Sequence, residues 1–415
     1  MKTSPEEAYN QRLKRVFDAV HLKQPDRVPL VVGFQAFPEY TYGVSIAEAM
    51  YDYDKVAGAL DQFYEEYQPD LAWDPVFMYP GKVLDILDIK WLRWPGSRKY
   101  DLDPNTMYQF IENENMKEDE YDELIFDPTH FIQSKWIPRS FGALKPLEKL
   151  RLRGSLWVSF LNSFAVFADK DVQGALKALV EAGEELVRWN QFLADYDRKL
   201  EAKGFPVAYG AFGFAPFDML GDSLRGTVPV LTDLFDYPDE ILQVTEKFTK
   251  IALESAIDGC KVTGRPFVWI WLHKGLDEFM SDAQYKKFYW PSLQKYLVGL
   301  VDAGLTPVVY CEGKYNTRLE ILRDVPVGKI IYNFETVDMF KAKEVLGDVA
   351  CIAGNVPNYL LSYGTVEEVK DYCKKLIDIC GKGGGFIMDS SALIDDAKPE
   401  NLKAMFEFTQ TYGVY

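Results

Sequence analysis

A (β/α)8 TIM barrel of the α/β class, carrying a long helical insertion after the second strand, is the fold this sequence predicts. Three observations predict it. Short apolar runs rich in β-formers recur along the chain, helical patterns with clear start signals separate them, and the interval 77–204 is far too long for a simple βα connection.

The apolar runs are Pro29–Phe34, Leu71–Val76, Pro206–Phe212, Pro266–Leu272, Pro307–Glu312, Lys329–Glu335, Val349–Asn355 and Gly385–Ser391. Most are hydrophobic at every position, as strands of a parallel sheet covered on both faces must be. A helix starts at Pro238-Asp239-Glu240 and runs to about Cys260. Others start at Ser281-Asp282, at Thr365-Val366-Glu367-Glu368 and at Pro399-Glu400. Each places a capping residue or a proline ahead of an apolar-periodic run. Strand–helix alternation repeated about eight times gives the barrel. A doubly wound open sheet is the alternative, and the absence of a GxGxxG after an early strand weakens it. The cluster Gly383-Gly384-Gly385 follows a helix and precedes a strand, the wrong order for a phosphate loop, and reads as a helix cap and tight turn. The chain is thus expected to be one domain, 1–415. The 77–204 insertion, with a helical block from about Val172 to Lys203, covers the catalytic end or forms a subunit contact, which allows a homodimer. Its acidic stretch, Glu112-Asn113-Glu114 and Lys117 to Glu120, reads as solvated surface.

Composition narrows the function. Hydrophobic residues are 48% and charged residues 26%, which suits a large folded core. The balance of 46 basic against 63 acidic residues leaves a net charge of −17, which disfavours nucleic acid and anionic lipid surfaces. Aromatic residues reach 15%, fitting a large core and also a pocket for an apolar or aromatic small molecule. The N-terminus shows no apolar signal segment and no stretch is long enough to cross a bilayer. The five cysteines form no CxxC pair, so a reducing cytoplasmic location is expected.

Three segments carry a family resemblance: TPVVYCEG at 306–313, ACIAGNVPNYLLSYGTVEEV at 350–369 and GGGFIMDSSALIDDAKPENLKAM at 383–405. Over roughly 200–412 the chain resembles the uroporphyrinogen decarboxylase and corrinoid methyltransferase superfamily, and DRVPLVVGFQAFPEY at 26–40 resembles its opening strand loosely. The resemblance implies a TIM barrel. It also exposes departures. Decarboxylases of the family hold substrate propionates with arginines in the first loop, whereas Gly33 to Tyr40 contains none. Corrinoid-linked methyltransferases of the family place a His-x-Cys-Gly after the fifth strand and a Cys after the eighth to hold a thiol-activating zinc. Here Tyr310 stands at the His, Glu312 at the Cys, and Asp389-Ser390-Ser391-Ala392 at the last segment. A thiolate-ligated zinc is therefore not expected.

Active sites of barrels lie at the C-terminal ends of the strands. Those ends hold Asp74, His273, Glu312, Glu335, Asn355 and Asp389. Catalysis is expected of Glu312, Asp389, His273 and Tyr310, and substrate contact of Asp74, Phe37, Tyr40, Phe212, Phe214, Asn355 and Glu335. The carboxylates with one imidazole could act as general acid and base, or Glu312, His273 and Asp389 could hold a divalent metal. Plainer readings stand beside these: Asp74 as a turn residue before Pro75, His273 as a loop histidine, Glu335 as a helix cap, Asn355 as an organiser of its turn, and Tyr310 as core. Cys311, alternating away from the pocket, reads as structural.

The resemblance implies a methyltransferase that moves a methyl group between a methoxylated or methylated substrate and a separate corrinoid protein carrying cobalamin. The alternative is a decarboxylase or other lyase on a non-porphyrin carboxylate. A third reading, a non-catalytic binding protein, sits badly with charged groups at so many strand ends.

Overall fold

A computed structural model describes residues 4–415. Two short strands, β1 (Leu92–Arg93) and β2 (Gln109–Phe110), pair antiparallel in the first half. The second half contributes six parallel strands in sequential order: β3 (Ala211–Phe214), β4 (Phe267–Leu272), β5 (Thr306–Cys311), β6 (Ile331–Phe334), β7 (Cys351–Ala353) and β8 (Phe386–Ile387). Helices lie between successive strands, including Pro238–Thr263 between β3 and β4, Trp290–Asp302 before β5 and Val366–Leu376 before β8. Among the described residues no helix is long and apolar enough to cross a membrane.

The fold is the TIM-like α/β architecture the sequence predicts, but six regular strands appear where eight were expected. The first two segments are extended without forming ladders. Leu30 bridges Met388 and Ala72 bridges Val207, both parallel. The Asp70 N–H donates to the Leu30 carbonyl at 2.8 Å. These contacts bring the first segment beside β8 and the second beside the start of β3. Side chains satisfy much of the backbone there. The Tyr64 hydroxyl accepts from the Trp73 N–H and donates to its carbonyl, both at 2.6 Å. Asp70, fully buried, accepts from the Leu30 N–H at 2.8 Å and pairs with Arg15 at 2.6 Å and Arg27 at 2.8 Å. Backbone groups bonded to side chains are no longer free to join a ladder.

Strand periodicity sorts the barrel's residues. Parallel registry puts Trp271 beside Tyr310, Tyr310 beside Asn333, and Asn333 beside Ala353, all on one face. Leu71, Trp269, Val308, Ile331, Asn333 and Asp389 line a small internal void, so this face is the barrel interior. Glu312, two residues beyond Tyr310, opens at the mouth. Cys311 has the opposite parity and is fully buried.

Between Val76 and Phe205 the chain builds one apolar cluster of its own, with Leu144, Leu147, Val172 and Ala175, and shares another, with Leu92 and Trp94, with Ile46 and Met50 of the preceding segment. It ends in a 33-residue helix, Lys170–Ala202, capped by Asp169. The acidic stretch is largely the solvated surface expected of it, with Glu112, Glu114, Glu118 and Asp119 exposed, but three of its acids also make ties. Glu114 pairs with buried Arg225 at 2.7 Å, Glu120 with Lys135 at 2.8 Å and Arg139 at 2.6 Å, and Glu112 accepts from the Thr227 N–H at 2.8 Å. Glu112 and Glu114 tie the segment to the turn after β3, while Glu120 is paired within the segment. The polyglycine turn behaves as read: Gly383, Gly384 and Gly385 all have positive φ, and a Cβ on Gly384 would lie 2.3 Å from the Lys23 carbonyl oxygen.

Candidate functional site

His273 and Lys274 leave β4 directly at the mouth, and a short helix after β3, Pro216–Leu220 continuing through Gly221–Arg225, supplies Asp218 and Asp222. Their spacing of four puts both carboxylates on one helical face. Asp218 is fully buried and organises the turn. It accepts from the backbone N–H of His273 at 2.8 Å and of Lys274 at 3.1 Å, and from the Tyr289 hydroxyl at 2.7 Å. Asp222 holds the His273 ring through Nδ1 at 2.6 Å and Lys274 Nζ at 2.9 Å. The other ring nitrogen, Nε2, faces Glu312 Oε2 at 3.5 Å. Glu335 accepts from the Gly313 N–H and so fixes the turn that presents Glu312.

The electrostatics follow from this packing. Burial works against the charge of His273, but the hydrogen bond to Asp222 and the fields of Glu312 and Asp218 outweigh it and raise its pKa to about 9. Burial raises Glu312 above the ordinary carboxyl range; His273 opposes the shift and Glu335 adds to it. Burial and then Asp222 lift Asp218 to about 7. The protonated His273 should therefore persist through neutral pH. The stability its charge contributes is complete below about 6.5 and is lost as pH rises through about 9. An NMR titration of the His273 ring protons, assigned by loss of the signal in His273→Asn, is expected to give a midpoint near 9. A midpoint at or below 6.5 would mean that Asp222 and Glu312 do not act on the ring as the geometry requires.

Aromatic rings form the adjoining wall. Phe214 meets His273 edge-on at 5.6 Å, Phe212 and Trp271 lie 5.3 Å apart, and Trp73 stacks parallel to Phe212 at 6.4 Å. Phe214 is 42% exposed, so this end of the wall faces solvent.

Of the residues expected at the site, His273, Glu312, Glu335, Phe212 and Phe214 are brought together. Asp389 is not with them. It lies beside Asn333, one layer deeper than Glu312, with Oδ2 taking the Asn333 amide at 2.6 Å and Oδ1 the Ser390 N–H at 2.7 Å. Burial pushes its carboxyl up to about 7. The expected metal set of Glu312, His273 and Asp389 is thus corrected. Among the described residues no three His, Cys, Asp or Glu side chains are grouped to hold an ion. The Cys311 thiol turns away from the mouth onto the Val309 carbonyl at 3.9 Å, so the donors facing the mouth do not fit a thiolate-ligated zinc. Tyr310 is buried below Glu312 and donates to the Ser391 carbonyl at 3.2 Å.

Four further expectations of substrate contact are corrected. Asp74 has the parity opposite to Leu71 and Trp73, and so turns outward. It is buried against the Tyr209 hydroxyl at 2.8 Å, and burial together with Asp197 of the Lys170–Ala202 helix raises its pKa well above the carboxyl range. Phe37 is 1% exposed and packs on Phe63 and Tyr67, because the first loop turns at once into the helix Phe37–Thr41. Tyr40 donates its hydroxyl to the Asn105 carbonyl at 2.6 Å, holding the inserted segment. Asn355 organises its turn: its amide donates to the Glu335 carbonyl at 3.1 Å and the Val337 carbonyl at 3.0 Å.

Asp218, Asp222, Lys274 and Asn333 were missed. The Asp-x-x-x-Asp spacing just after Phe214 was the available signal, and it required knowing that a helix, not a loop, follows β3.

A family model described as Uroporphyrinogen decarboxylase (URO-D) matches residues 193–412, more than half of the chain. A uroporphyrinogen decarboxylase of Chlorobium phaeovibrioides (strain DSM 265 / 1930) is 26% identical over 136 residues, 32% of this chain and 38% of that protein. One of Chlorobium luteolum (strain DSM 273 / BCRC 81028 / 2530) is 28% identical over 137 residues, with the same coverage. The chain thus aligns with less than two thirds of the length of these relatives. A solved structure, a methyltransferase from Methanosarcina mazei, shares the fold with a TM-score of 0.62 at 16% identity, covering 97% of this chain and 98% of that one.

Proposed function

The chain belongs to the uroporphyrinogen decarboxylase family, and from that premise we propose that it is a methyltransferase acting between an apolar or aromatic methoxylated substrate and a separate corrinoid protein. The observation that carries this reading is the Asp222–His273–Glu312 chain set against the Phe212, Phe214 and Trp271 wall. The rings hold the substrate's aromatic body. Glu312, at the mouth beside His273, is the group placed to pass a proton to the oxygen that leaves as the methyl group departs, and burial raises its carboxyl above the ordinary range. His273, which keeps its proton to about pH 9, restores it through Nε2 while Asp222 fixes the ring. General acid assistance of this kind is worth roughly 10²–10⁴ in rate. A cobalamin on the partner supplies the nucleophile that accepts the methyl group.

The absence of arginine from Gly33 to Tyr40 argues against a porphyrinogen polycarboxylate as substrate. A carboxy-lyase on a smaller acid is the second reading, supported by the cationic His273 beside Lys274, which could seat one carboxylate. The test is corrinoid dependence. Demethylation of methoxylated aromatics is expected only when free cob(I)alamin or a reduced corrinoid protein is added. Carbon dioxide release from a carboxylate without any corrinoid would replace the methyltransferase reading with the lyase.

A further inference from the structure

Residues 154–168 contain no charged side chain. They form successive helical turns over 157–168 and lead into the Lys170–Ala202 helix. A surface helix ordinarily turns its apolar stripe inward. This segment has an outward stripe as well. Trp157, Leu161 and Phe164, spaced by four and three, are 92, 63 and 52% exposed, and Leu156 and Val158 beside them are each 73% exposed. The inward side is already engaged, since Val166 and Phe167 pack with Leu144, Leu147, Val172 and Ala175. Trp157 has a φ of 55°, a left-handed conformation that is rare for so bulky a residue, and its ring faces solvent.

The stripe sits at the tip of an arm. Asp197 meets Arg265, two residues before β4, at 2.7 Å, so the C-terminal end of the long helix lies where the strands begin. The helix precedes β3 and so runs back from the mouth side. Its 33 residues extend about 50 Å, whereas the six residues of β4 span about 20 Å. Its N-terminal part therefore passes beyond the mouth. At 1.5 Å per residue, Lys170 and the segment before it stand about 40 Å from the level of Asp197.

Charge at the tip departs from that of the whole chain. The net charge of −17 opposes an anionic surface, but 77–204 is nearly balanced, with 18 basic and 21 acidic residues, so most of the excess lies outside the insertion. At physiological ionic strength fields fade over about 8 Å, far less than the length of the arm. Next to the stripe, 149–168 holds Lys149, Arg151 and Arg153 and no acid. Lys149 is taken by Asp169 at 2.7 Å and Asp171 at 3.2 Å. Arg153 lies 3.8 Å from Asp127 and covers the exposed Phe126 ring at 4.3 Å. Arg151 has no carboxylate partner among the described residues and donates to the Glu148 and Leu150 carbonyls. An uncharged aromatic stripe flanked by arginines suits the water–lipid boundary, where apolar side chains enter the acyl edge and guanidinium heads stay among phosphates. A protein partner would need about 1,200–2,000 Å² of matched surface, more than one short helical segment supplies, whereas a bilayer needs no matched surface.

We propose that residues 154–168 are a membrane-docking tip that seats the chain on an anionic bilayer surface. The proposal rests on neither reaction assigned above. The full chain is expected to co-sediment with vesicles of phosphatidylcholine and phosphatidylglycerol, about three to one, and to bind pure phosphatidylcholine at least about tenfold more weakly. Trp157→Glu combined with Leu161→Glu is expected to lower binding to the mixed vesicles at least about tenfold, with circular dichroism unchanged. All five native cysteines are buried, so an environment-sensitive dye on Val158→Cys reports the tip alone. Its emission is expected to shift to the blue when mixed vesicles are added, while the same dye on Lys250→Cys, in the helix Pro238–Thr263, stays unchanged. A chain left in the supernatant at millimolar lipid, equal binding to both kinds of vesicle, or a folded double variant that binds as well as wild type would overturn the proposal. So would a Val158→Cys dye that is blue-shifted without lipid and shifts further as protein concentration rises, because protein would then be covering the tip.

Discussion

Glu312→Gln is expected to keep the fold and to lower turnover by at least about 100-fold, the lower end of what a general acid supplies. The two side chains are nearly isosteric. Glu312 is half-buried at the mouth, and its described ionic contact is His273 at 3.5 Å, so the amide replaces a carboxyl without opening a cavity. What is lost is the carboxyl that can take up and pass on a proton, a group that burial raises above its ordinary range. Corrinoid methylation followed by absorbance, with circular dichroism as the fold control, makes the measurement. A folded variant with near-normal turnover would remove Glu312 from the chemistry, and a variant that unfolds would make it a structural residue.

Asp70→Ala is expected to have the largest effect on stability, a loss of about 3–5 kcal/mol in chemical denaturation, as follows from removing one partner of a buried ion pair. Asp70 is fully buried between Arg15 and Arg27 and also accepts the Leu30 N–H. Its removal takes a carboxylate partner from two guanidinium groups and leaves one buried backbone donor unpaired. Arg15 keeps Asp26, at 2.6 Å, as a second partner, which sets the expectation at the lower part of that range. A loss below about 1 kcal/mol would mean that the junction of the first two strand segments does not rest on this carboxylate.

The barrel was legible because its second half repeats one signal. From Pro206 onward, apolar runs too hydrophobic for one exposed face alternate with capped helices, and each run overlaps the β3–β8 strand at its place, four of the six containing it whole. The first two runs carried the same signal and gave bridges instead of ladders. The competing side chains, Asp70 and Tyr64, lie outside the short runs that periodicity scans. At the site, proximity to strand ends found His273 and Glu312. It failed for Asp74 because parity within its run was not followed: Trp73 faces the interior, so Asp74 cannot. It failed for Asp389 in depth, since registry with Asn333 sets it one layer below Glu312, and registry between strands is not written in either strand alone. Asp218 and Asp222 escaped because their meaning comes from a turn after β4 that is distant in sequence.

The division of the sheet into one continuous ladder and two bridged segments bears on how such a chain can drift over generations. Residues in β3–β8 are clamped by neighbours on both edges and pack on both faces, so few replacements are tolerated. The bridged segments are equally buried but are held by single bridges and by side chains such as Asp70 and Tyr64. The long insert enters between the second bridged segment and β3, where it interrupts no ladder. The recognisable inheritance of the chain, residues 193–412, coincides with the laddered arc.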